Sequence, residues 1–72
     1  MLRELGDRVR EAMTLVNLGM LRFFAGDVSD AADVLQRGLD AARELGHRRL
    51  ECIALGNLGL VLDGAGRSAE AV

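Results

Sequence analysis

The chain has 72 residues, half of them apolar, and nine arginines against eleven acids give a formal net charge of -2. Disorder requires low hydrophobicity and high net charge and is excluded; a single cysteine excludes an internal disulfide framework. The longest uncharged runs, residues 12–21 and 52–62, are too short to cross a bilayer. No basic segment followed by an apolar stretch marks a signal peptide, so a reduced, cytoplasmic setting is the expectation.

In chain order, residues 1–6 read as the tail of a helix. From Arg8 to Ala25 the apolar positions Ala12, Leu15, Leu18, Leu21 and Ala25 step by three and four, which is helical spacing. Gly26 is the expected stop, with Asp27 placed to accept hydrogen bonds from the first free amides of the next helix. That helix runs from about Val28 to Leu45, with Ala31, Val34, Leu35, Leu39, Ala42 and Leu45 on one side, and Gly46 ends it. A third helix spans about His47 to Leu62. Gly64 to Gly66 form a joint, and Ser68 to Val72 open a further helix. No segment alternates with period two, so the fold class is all-α, built of antiparallel helix-turn-helix units.

A shift of 40 residues aligns positions 1–32 with 41–72, and 13 of those 32 pairs are identical. Arg3-Glu4-Leu5-Gly6 returns as Arg43-Glu44-Leu45-Gly46, and Asn17-Leu18-Gly19 as Asn57-Leu58-Gly59. Three parts follow: residues 1–6, a complete unit at 7–46, and a second unit at 47–72 that stops early in its second helix. Mid-helix glycine costs about 1 kcal/mol relative to alanine. Gly19 and Gly59 are therefore expected where a neighbouring helix comes close, faced by Ala31 and Ala71. The shortened second unit is expected to leave Ile53, Leu58 and Val61 without a covering helix, and Leu55, Leu60 and Leu62 partly bare.

The arginines are interleaved with acids, as in Arg3-Glu4, Asp7-Arg8 and Asp33 with Arg37. That pattern describes a solvated helix face and lacks the basic stripe of a nucleic-acid binder. Cys52 matches Ala12 and reads as a small, shielded, inert core residue. The one histidine, His47, lies in a joint, so the pair makes no nucleophilic site. Asp27, Asp30 and Asp33 suit a helix start, and their spacing is not that of a calcium loop. Gly64-Ala65-Gly66 lacks the residues of a phosphate loop. No catalysis, metal or cofactor is expected, and no membrane contact.

Leu15, Asn17-Leu18-Gly19, Gly26-Asp27, Ala31 and Leu35, echoed by Leu55, Asn57-Leu58-Gly59, Leu62, Gly66 and Ala71, resemble the tetratricopeptide repeat. The period of 40 exceeds the usual ~34 and is similar to the longer-helix repeats of kinesin light chains and many bacterial regulators. Three local departures are Arg22 where an aromatic is commoner, Gly38 in place of alanine, and no proline closing the second helix. The resemblance implies a right-handed α-solenoid fragment, part of a longer bacterial, regulatory protein, that binds another protein or a peptide. First helices of successive units line a concave groove in this family. By position, that groove would present Met13, Val16, Asn17, Met20 and Phe23 from the first unit, and Ile53, Asn57, Leu60 and Asp63 from the second. Two alternatives stand beside it: a self-associating module that forms a homo-oligomer, and a helix-turn-helix DNA binder, which the acidic balance disfavours.

Overall fold

The structure, a computed structural model, describes the backbone of residues 2–71 and the side chains of residues 6–64. Three helices follow one another: α1 (Leu2–Phe24), α2 (Val28–Leu45) and α3 (Arg48–Ala71). The described backbone contains no strand.

The two turns are built alike. At the first, the N–H of Gly26 donates to the Phe23 carbonyl and the N–H of Asp27 to the Arg22 carbonyl. At the second, Gly46 donates to Arg43 and His47 to Ala42. Both are Schellman closures, which satisfy carbonyls that the ending helix leaves without partners. Their glycines have φ of +91° and +67°, a conformation that costs glycine little and other residues much. An arginine straps each turn. Arg22 Nε lies 3.2 Å from Asp30 Oδ2, and Arg43 Nε lies 3.0 Å from Glu51 Oε1. Arg22, which replaces the commoner aromatic, thus ties α1 to α2. Asp33 and Arg37 form no ion pair among the described residues.

The helix starts differ from each other. Asp27 makes no side-chain cap bond; its carbonyl accepts the N–H of Ala31 instead. At α3 it is the histidine that caps: the Leu50 N–H donates to Nδ1 of His47 at 3.1 Å.

Contacts between α1 and α2 run in opposite directions along the two helices. Arg22 meets Asp30, Gly19 meets Leu35, and Val16 meets Gly38, so the pair is antiparallel. The expected α2 stripe is buried from Ala31 to Ala42, with Gly38 added to it, while Leu45 is only half-buried. The α1 stripe is shifted. Ala12, Val16 and Gly19 are buried, while Leu18 and Leu21 are 38% and 66% exposed. Apolar residues occupy several sides of α1, so periodicity leaves more than one stripe available. Gly19 decides between them, because α2 can come closest where the side chain is missing. Gly38 does the same from α2, where a Cβ would lie 3.0 Å from Val16 Cγ2.

Helix α3 packs back against α2 and buries Leu50, Ala54 and Val61. In the 40-residue register these match Arg10, Thr14 and Leu21, not Ala12, Val16 and Gly19. The two equivalent helices therefore use opposite flanks against the one between them. That exchange corrects four expectations. Val61 is fully buried; Cys52 is exposed; Gly59 is exposed, and a Cβ there meets nothing within 4 Å. Ala71 lies on the same helix as Gly59 and cannot face it from another, and its side chain is outside the described residues. Leu55, Leu60 and Leu62 are exposed, as expected.

Two expected joints are absent. α1 runs unbroken through Gly6, and α3 runs unbroken through Gly64 and Gly66 to Ala71, so Ser68–Ala71 extend α3 and do not open a fourth helix.

Candidate functional site

α1 and α3 lie side by side where α2 does not separate them. Met13 and Ile53 border one depression, and the ring of Phe23 comes within about 3.0 Å of a Cβ built on Gly64. These pairs are offset by 40 and 41 residues, so the helices run parallel in the register of the internal repeat. The sequence period is thus a stacking distance along the molecule.

The depression, of about 200 Å³, is lined by Met13, His47, Arg49, Leu50 and Ile53. Met13 is 50% and Ile53 47% exposed. Leu60, two turns along α3 from Ile53, is exposed on the same side. A second groove, between α1 and α2, is lined by Arg8, Glu11, Leu15, Ala41, Glu44 and Leu45 and carries charges of both signs.

The remaining groove candidates divide. Asn17 is exposed and Asn57 half-buried, and neither side-chain amide is hydrogen-bonded among the described residues. Asp63 is exposed but already engaged in an interaction. Met20 and Phe23 are half-buried and pack against the core, and Phe23 also stacks at a tilt on Phe24, 5.8 Å away. Val16 does not belong to the groove. It is 3% exposed and sits against Gly38, because the side of α1 that bears it is the one α2 covers.

Three lining residues escaped the sequence reading: His47, Arg49 and Leu50. Helical spacing held the signal for Arg49, which stands four residues before Ile53 on the same face. His47 is placed there by its cap bond, which holds the ring over the first turn of α3.

Among the described residues no group of His, Cys, Asp and Glu could hold a metal, and no helix is long and apolar enough to cross a membrane. The α1–α3 depression is an apolar surface between two parallel helices, bordered by Met13 and Ile53 at equivalent positions of the repeat. A family model described as the tetratricopeptide repeat matches residues 10–72. The chain belongs to the tetratricopeptide repeat family. Tetratricopeptide repeats generally mediate contact between proteins, and the fold is in general a non-catalytic scaffold. No curated protein and no solved structure matches the chain significantly.

Proposed function

We propose that this tetratricopeptide repeat chain binds a segment of another protein along the groove between α1 and α3. The units would be residues 7–46 and 47–72, within a longer intracellular scaffold. The observation that carries the reading is the pairing of Met13 with Ile53. Two apolar side chains in equivalent repeat positions, each about half exposed, border one depression. Half-exposed methionine adapts to varied apolar shapes. The unengaged amides of Asn17 and Asn57 offer both donors and acceptors to an extended backbone. A random dodecapeptide library displayed on phage tests it. Recovered peptides should shift the amide resonances of Met13, Ile53 and Leu60 and bind Ile53→Glu weakly. Peptides that shift other regions only, or that bind Ile53→Glu equally, would remove the assignment.

A second reading rests on a different face. Cys52, Leu55 and Gly59 correspond to Ala12, Leu15 and Gly19, which meet α2 in the first unit, yet here they are exposed. Two copies pairing through that face would form a homo-oligomer. Sedimentation of the wild type beside the Leu55→Glu, Leu62→Glu double variant decides it. A dimer in the first and a monomer in the second is the expected result.

A further inference from the structure

We infer that two copies of the chain pair through the outer face of α3, antiparallel about a two-fold axis near Gly56. The inference rests on the self-association reading and adds its register and its charge pairing. Cys52, Leu55, Gly59 and Leu62 recur at intervals of three and four, so they form one seam along α3. All four are exposed, and a Cβ built on Gly56 or Gly59 meets nothing within 4 Å. The equivalent seam of α1, through Ala12 and Gly19, shows what such a face accepts. There α2 lies antiparallel, with Leu35 against Gly19. Setting α3 antiparallel to its own copy seats Leu55 on Gly59 in the same manner, twice by symmetry, with Cys52 opposite Leu62. An isologous pairing of this kind closes on itself as a dimer.

Charge fixes the direction. Arg49, Gly56 and Asp63 are spaced by seven residues and therefore share one side of the seam. Arg49 and Asp63 are both exposed. In the register that seats Leu55 on Gly59, Arg49 of each copy falls beside Asp63 of the other, with the two Gly56 residues at the axis. Asp63 already holds one interaction, and a carboxylate has acceptor sites enough to take a guanidinium as well. A parallel pairing would instead set like charges level with each other at both ends. One helix face on each side makes a small contact, in the class below about 1,200 Å² that associates transiently. Cys52 is thus open in the dilute chain and covered only as the dimer fills.

Sedimentation equilibrium over a wide range of concentration tests the register with two single reversals, Arg49→Glu and Asp63→Arg. Each sets like charges together at both ends of the seam and should weaken self-association about tenfold. Mixed in equal amounts, the two variants should recover the wild-type association. One end of the mixed dimer keeps the native pair, and the other carries it with the signs exchanged. Circular dichroism checks that both variants stay as helical as the wild type. The wild type gives a second measurement that needs no variant, since molar salt should weaken its dimer. A dimer that Leu55→Glu with Leu62→Glu abolishes, but that neither reversal nor salt weakens, would overturn the register and keep the self-association. Reversals that weaken the dimer without recovery on mixing would overturn the register too. A wild type that stays monomeric at every concentration would overturn both.

Discussion

A Cβ placed on Gly19 would stand 2.6 Å from Cγ of Leu35 and 2.9 Å from its Cδ2, so α1 and α2 meet at a separation that only bare backbone permits. Leu35 is fully buried and has little room to retreat. The Ala31 carbonyl oxygen closes the same space, 3.3 Å from that Cβ position. Gly59 occupies the equivalent position of the repeat and faces open space.

The twin glycines should therefore respond in opposite ways to the same substitution. Gly19→Ala overpacks the α1–α2 contact at a cost of about 1–3 kcal/mol, partly offset by alanine's better helix propensity. Gly59→Ala keeps the propensity gain of about 1 kcal/mol with nothing to clash against. Thermal unfolding followed by circular dichroism should show Gly19→Ala below Gly59→Ala, with the wild type between them. Equal shifts would mean that α2 does not approach α1 at Gly19.

His47 is expected to act through its cap. Replacing it with alanine leaves the Leu50 N–H without its partner and should cost roughly 0.5–1 kcal/mol. His47→Asp restores a side-chain acceptor and adds a charge that suits the helix start, so it should match or exceed the wild type in urea unfolding. Asp27→Asn should change little, since that carboxylate makes no cap bond.

The two turn straps are exposed, with side chains 50% and 45% accessible in one pair and 54% and 31% in the other. Solvent screens such pairs, so double-mutant cycles on Arg22–Asp30 and Arg43–Glu51 should each give a coupling below about 1 kcal/mol. Molar salt should reduce both couplings. A coupling of several kcal/mol, insensitive to salt, would contradict the geometry.

Cys52 should react with an aromatic disulfide reagent in the folded chain at a rate of the same order as in denaturant, because the thiol is exposed. Slow labelling that accelerates with protein dilution would instead indicate that a second copy covers it.

The helices and their turns were legible because their signals are local. The stripe of α2 from Ala31 to Ala42 faces one packing partner on each side, and every apolar residue on it reads as core. Gly26 and Gly46 each follow the last apolar residue of a helical stripe, Ala25 and Leu45, and end their helices as expected. The groove was less legible. Met13 and Ile53 were placed by position in the repeat, but Val16 was assigned to the wrong side of α1 because apolar residues at successive turns fit two stripes equally well. Cys52 and Gly59 were misread for a related reason. Equivalent positions in a repeat share a side chain direction but not a neighbour.

The amino-acid order by itself determined the helical class, the 40-residue period, the two capped turns and the family. Tertiary packing decided which glycines end a helix. Arg-Glu-Leu-Gly is continuous helix at residues 3–6 and a left-handed cap at residues 43–46. Gly26 closes a helix while Gly66 lies inside one. A glycine shifts the local balance by only about 1 kcal/mol, too little to reverse the chain unaided. At Gly46 the reversal brings Leu50, Ala54 and Val61 against α2 and removes them from water, and burial of that kind is worth about 1.5–3 kcal/mol for each large side chain. Helices in proteins are stabilised chiefly by such packing of an apolar face, so the reversal at Gly46 is held by the face that it buries.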